Sequence, residues 1–120
     1  MAQCDEGYRC DVCGRDVEAI VESDLYLRYV LGEIDPLKLP TLRERHIRCN
    51  PAVAQYIVDP AFPPMICESV FAKAQMDADF VAQEVARITR GWRRLQEIPM
   101  LGIPITEYPL EEVRVKWKKK

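Results

Sequence analysis

Four side chains at two matched spacings carry the clearest chemistry in this 120-residue chain: Cys10-x2-Cys13 and, after 32 intervening residues, His46-x2-Cys49. Two thiols two residues apart can be presented by one short loop, and a second such pair completes a tetrahedron of soft and borderline donors around a divalent ion. The chemistry implied is a structural Zn2+ site with Cys10, Cys13, His46 and Cys49 as ligands. Gly14 follows the first pair, where the chain must turn back with its amides directed at sulfur and a residue tolerant of positive φ is favoured. Binding requires thiolates and a neutral imidazole, so the ion would both fold this segment and keep the cysteines deprotonated. The competing reading is a redox dithiol at Cys10 and Cys13. That chemistry is expected beside a βαβ pattern, which the first 50 residues do not show.

Two cysteines remain. Either Cys4 or Cys67 can be imagined replacing His46, Cys67 more readily because the turn-rich residues 59–64 can fold it back over the site. Their ordinary roles are a terminal thiol and a small buried apolar side chain. Five cysteines are an odd number, and the first residues lack the basic and apolar regions of a secretory leader, so a disulfide framework is not expected and a cytoplasmic location is.

Residues 7–22 suggest strand, metal-binding turn and strand, with Tyr8 and Arg9 entering and Val17, Ala19 and Val21 alternating with Glu18, Ile20 and Glu22 on the way out. Ser23 or Asp24 can cap a helix running to about Leu31, with Gly32 near its end. For the second ligand pair two readings stand. Thr41-x-x-Glu44 has the form of a capping box, placing His46 and Cys49 on one side of a helix. Alternatively, Asn50-Pro51 starts the helix and the ligands lie in the loop entering it, where the positive helix end favours a thiolate at Cys49; this second reading is preferred.

On these residues, the Cys10-Asp11-Val12-Cys13-Gly14 knuckle, the hairpin after it and the His46/Cys49 pair near a helix start, the chain resembles the treble-clef and zinc-ribbon class of zinc-binding domains over about residues 7–58. The resemblance implies a structural metal. Members of that class bind nucleic acids, proteins or lipids, so it implies no single activity.

Beyond residue 58 the pattern changes. A Pro-rich linker over 59–68 precedes a helix expected over 69–98, where Phe71, Ala74, Ala78, Val81, Val85, Ile88, Trp92 and Leu95 step by 3 and 4 along a heptad seam. A helix of that length would outreach a small metal-bound lobe, so the seam must pack on the chain's own tail or on a second protein, a homo-oligomer included. Acidic residues lead this helix and Arg87, Arg90, Arg93 and Arg94 end it. That order complements the helix dipole, and it also offers a basic stripe for an anion or an acidic partner. Residues 99–120 read as an extended tail with one strand, Val113, Val115 and Trp117 alternating with charged neighbours, which would pair with the hairpin or with a partner's sheet. The fold expected is therefore α+β: a zinc-nucleated hairpin-and-helix lobe over 1–58, the linker, a long amphipathic helix, and a C-terminal strand.

Function classes narrow by exclusion. A net charge of −2 gives no global attraction to nucleic acid, and no apolar run reaches the length of a membrane span. Committing His46, the one histidine, to metal removes the commonest general base. Neither a Gly-rich phosphate loop, a Ser-centred elbow nor a His-Glu-x-x-His helix is present. Three thiolates and an imidazole close a zinc shell that a catalytic ion would keep open, leaving Glu44 a base without a reaction. The sequence thus points to a non-enzymatic, zinc-stabilised accessory or interaction protein, at most the non-catalytic subunit of an enzyme complex. Nucleic-acid binding through the arginines at the helix end and the terminal lysines is the alternative.

Overall fold

Ser23 fixes where the central helix begins. Its hydroxyl accepts a hydrogen bond from the Tyr26 amide at 3.1 Å, capping helix α1 over Asp24–Val30. The computed structural model describes residues 9–17, 19–68, 70 and 72–118, with Pro40 and Lys118 described as backbone alone. The sequence readings at Cys4, Tyr8, Glu18, Ser69, Phe71, Lys119 and Lys120 lie outside the described residues.

α1 is apolar on two sides and forms the middle of the molecule. Leu27, Val30 and Leu31 face helix α3 (Ala78–Leu101), where Ile88, Trp92, Leu95 and Ile98 meet them in the main core. Leu25 and Tyr29 face the opposite way, into a second cluster with Ile34 and Leu39. The two helices approach closely because Gly91 stands at the crossing: a Cβ there would lie 2.5 Å from Leu31 Cδ2. At φ +84°, Gly32 ends α1 in the left-handed region that an L side chain rarely adopts.

The long helix starts at Ala78, where the Asp77 carboxylate accepts from the Asp79 and Phe80 amides. Residues Lys73–Gln75 before it form a single 3-10 turn tied down by the Lys73 amide donating to Gln55 Oε1 at 2.8 Å. The helix runs through Pro99 to Leu101, and Gly102 closes it at φ +62°. At 1.5 Å per residue its 24 residues extend about 36 Å, nearly the 39 Å length of the molecule. Of the heptad seam, Ile88, Trp92 and Leu95 are buried within the chain, Val81 and Val85 lie half-buried at the edge of the core, and Ala78 is exposed. The main core also takes Phe62 from the Pro-rich segment and Leu110 from the tail.

The α+β expectation is overturned, because no strand occurs among the described residues. The hairpin reduces to one isolated antiparallel bridge between Arg9 and Asp16 around the Cys10–Cys13 turn. Ile20–Glu22, read as the return strand, is a 3-10 turn held to α3 by Gln96 Nε2 donating to the Val21 carbonyl at 3.1 Å. The C-terminal strand is also absent: Glu111–Lys118 is a helix, α4. Residues 113 and 117 share a face in either conformation, whereas residue 115 joins them only in a strand. Val113 packs on Gly32, Trp117 stacks on Tyr29 at 5.9 Å, and Val115 is 45 % exposed. The capping box at Thr41 is likewise not formed. Thr41 ends a 3-10 turn over Pro36–Thr41 and donates to the Lys38 carbonyl. Asn50-Pro51 does open a helix, α2, one turn long over Pro51–Ala54.

Candidate metal centre

The knuckle is built by its own backbone. The Gly14 amide donates to the Cys10 carbonyl at 3.0 Å and the Cys10 amide to the Arg15 carbonyl at 2.9 Å, while Gly14 takes φ +77° to turn the chain. This leaves the Val12 amide pointing at Cys10 Sγ at 3.4 Å. The second ligand pair comes from a different local structure. His46 precedes a 3-10 turn over Ile47–Cys49 that leads into α2, so its ring and the Cys49 thiol are presented by a tight turn at a helix entrance.

A layer of polar contacts joins the two halves. The Asp11 amide donates to the Glu44 carbonyl at 3.0 Å. Arg45 grips the Asp11 carboxylate with Nε at 2.8 Å and Nη2 at 3.1 Å. From the other side, the Asp24 amide donates to the Arg45 carbonyl at 2.8 Å, Ser23 Oγ donates to Glu44 Oε1 at 2.6 Å, and Asn50 Nδ2 donates to Asp24 Oδ1 at 3.1 Å. Residues 44–46 are thus clamped between the knuckle and the start of α1. Burial pushes the Asp24 and Glu44 carboxyls up, against the lowering effect of Arg28 on Asp24 and of the Ser23 hydroxyl on Glu44. Sequence reasoning saw Ser23, Asp24 and Asn50 as local caps and Glu44 as part of a capping box or a conceivable base, and it missed Asp11 and Arg45, because nothing in a linear pattern reports that one segment's carboxylate meets another's guanidinium.

The result is a cluster. One donor atom each from Cys10, Cys13, His46 and Cys49 lies within 4.8 Å of all the others. Cys13 Sγ is 3.3 Å and Cys49 Sγ 3.8 Å from His46 Nδ1. Zinc bonds of about 2.3 Å to sulfur and about 2.0 Å to nitrogen give tetrahedral edges of roughly 3.5 to 3.8 Å, so the donors need to shift by only a few tenths of an ångström to about 1 Å. His46 Nε2 lies 3.0 Å from the Asp16 carbonyl. A carbonyl can only accept, so Nε2 carries the proton and Nδ1 offers its lone pair to the cluster, as an imidazole ligand held by an outer partner does.

Electrostatics supply a second test of fit. Burial raises the Cys10 thiol, but hydrogen bonds from the Cys13, His46 and Val12 backbone outweigh it and bring Cys10 down to about 6. Cys49 is pushed up to about 12 by burial and by the neighbouring Cys10 and Cys13 sulfurs. Burial pulls His46 down, while Cys10, the Asp16 carbonyl and Cys13 push it up further, a net rise. One thiolate forms readily here and the next is opposed by it; a dication at the centre removes that opposition and lets three thiolates coexist.

No family model, curated protein or solved structure matches this chain. The centre is therefore read from its own geometry.

Cys67 is buried but stands outside the four-donor cluster, near Cys49 across a cavity that both line. Cys13, His46 and Cys49 also line another cavity of about 540 Å3, together with Phe62 and Trp92. Arg48 covers Phe62 at 4.3 Å from the ring centre, and Phe62 meets Trp92 edge to face. The arginines at the end of α3 scatter among partners instead of forming one stripe. Arg87 binds Glu84 and Glu33, Arg90 forks onto Glu112, Arg93 binds Asp59 at 2.7 Å, and Arg94 donates to the carbonyls of Tyr108 and Glu107. Among the described residues no helix is long and apolar enough to cross a membrane.

Proposed function

We propose that this chain is a small structural-zinc protein that serves as a non-catalytic accessory or interaction subunit. The observation carrying the zinc reading is the convergence of Cys10, Cys13, His46 and Cys49, one donor atom from each lying within 4.8 Å of the others. Three thiolates and an imidazole form a closed shell that suits a structural ion better than a catalytic one. A knuckle with Gly14 after its second cysteine, and a second pair at the entrance to α2, support a treble-clef-like subclass. A ribbon receives less support, since no strand lies among the described residues.

The accessory role draws support from side chains left in solvent: Val58, Ile66 and Val70 along one segment, Met100 and Leu101 at the end of α3, and Leu37 on the 3-10 turn. Binding of nucleic acid by Arg87, Arg90, Arg93 and Arg94 receives less, because Arg87 turns away to Glu33 and Glu84 and the four guanidiniums do not form one stripe that could follow a phosphate backbone.

Metal analysis of protein purified without added metal tests the first part, with about one zinc per chain expected. A metal-free, folded chain with an oxidised Cys10–Cys13 pair would overturn it. Size-exclusion with light scattering and affinity capture test the second. A strictly monomeric particle whose long helix is fully protected from hydrogen exchange, and which captures no partner, would remove the accessory reading while leaving zinc intact.

A further inference from the structure

Between α3 and the start of α4 lies a groove of about 730 Å3 lined by four arginines, Arg90, Arg93, Arg94 and Arg114, and two glutamates, Glu97 and Glu111. We infer that this groove binds a small phosphate ester whose remainder carries hydroxyl or amine groups, independently of the metal centre.

The four guanidiniums are not equivalent. Arg94 is fixed by donating to the carbonyls of Tyr108 at 3.1 Å and Glu107 at 2.8 Å, and Arg114 by donating to the Pro109 carbonyl at 3.0 Å. A carbonyl orients a guanidinium without cancelling its charge; Arg114 has the Glu107 carboxylate only at the 4.0 Å limit. Arg90 and Arg93 are held by Glu112 and Asp59, but both arginines are more than half exposed. The Arg90–Glu112 pair is exposed on both sides, which opens that guanidinium to competition from another anion, whereas the mostly buried Asp59 keeps Arg93 oriented. The fork Arg90 makes on Glu112 shows the geometry it would offer to two oxygens of a phosphate.

The remaining lining selects the ligand's size and character. Glu97 and Glu111 repel a long uniform polyanion but accept hydrogen bonds from hydroxyl or amine groups next to a single phosphate. Thr89, which also lines the groove, is already used, accepting from the Val58 amide and donating to the Tyr56 carbonyl, which holds residues 56–58 against α3. The volume falls within the roughly 300 to 1,000 Å3 range of small-molecule sites. Arg87 is turned away, closed onto Glu84 and Glu33, and does not line the groove.

The test is calorimetric titration of the zinc-loaded chain, at low salt, with inorganic phosphate, glucose 6-phosphate and a 20-nucleotide single-stranded DNA. Glucose 6-phosphate should bind more tightly than phosphate and than DNA. Arg114→Gln should weaken it about tenfold or more, the scale for one lost hydrogen bond to a charged group. Arg94→Lys, which keeps the charge and loses the fork, should weaken it less but measurably, and Arg87→Gln should leave it unchanged. Thermal melting of each variant checks folding, and either groove variant alone suffices if the other does not fold. Absence of binding by both phosphate probes, equal affinity for phosphate and glucose 6-phosphate, tighter binding of the DNA, or indifference to the groove variants would each overturn the assignment. Zinc content, measured in the same samples, separates that failure from failure of the metal reading.

Discussion

Gly91 shows how much one missing carbon decides. An alanine there would gain about 1 kcal/mol in helix propensity, but its Cβ would sit 2.5 Å from Leu31 Cδ2 and 3.0 Å from Leu31 Cγ. Leu31 is buried and cannot simply swing into solvent. Overpacking of this kind costs about 1 to 3 kcal/mol, so Gly91→Ala should be net destabilising by about 1 kcal/mol, read as a lower urea midpoint with an unchanged slope. Residue identity is also what made the metal centre legible. Cysteine and histidine at two-residue gaps announce a ligand set whatever the intervening fold, and Gly14 was recognisable as the turn residue. The clamp around them was not. Asp11 and Arg45 are ordinary surface residue types, and their meeting depends on how two distant segments pack.

Elements were legible where one period dominated and illegible where two coincided. A good cap and a closing glycine marked α1, and the seam marked most of α3. In α4 the spacing of Val113 and Trp117 satisfies a strand and a helix equally, and the choice falls to Val115. A direct check follows. Val115→Ala should be neutral or slightly stabilising, Val113→Ala should cost about 1 kcal/mol, and Trp117→Ala about 1 to 2 kcal/mol, from lost packing and the stack on Tyr29. Equal losses at 113 and 115 in thermal melts would instead mean that the segment is a strand. The start of α3 was misjudged for a related reason. Alanines at 74 and 78 keep the seam's spacing while burying almost nothing, whereas the Asp77 cap sets the actual start.

At the scale of the molecule, two conditions should separate the metal's contribution from that of the ion pairs. A strong chelator should lower the melting temperature and speed hydrogen exchange first at residues 10–16 and 44–50 and then in α1, since the polar clamp connects them; unchanged exchange would sever that link. Acid acts elsewhere as well. Arg87 holds Glu84 below the usual carboxylate range, Arg90 does the same for Glu112, and the Ala61 amide with Arg93 lowers Asp59. A depressed folded-state value means that these pairs stabilise fully above their unfolded values of 3.8 for Asp59 and 4.5 for the glutamates, and lose that contribution as pH falls through the folded values. Buried Asp24 and Glu44 work in the opposite sense, becoming less costly to the fold as they take up protons. Urea midpoints should therefore fall below about pH 4.5, and Glu112→Gln should flatten part of that slope.

His46 lies 33 positions after Cys13, and the whole of α1 lies between them. An ion gripping both would act as a clasp, turning this stretch into a ring even when the rest of the chain is unravelled. By the chain-entropy reckoning used for covalent cross-links, closing a loop of that length removes about 4 kcal/mol of disorder from the denatured ensemble. The loaded chain would then begin refolding with its central helix already confined, whereas the stripped chain would have to find the same closure by diffusion.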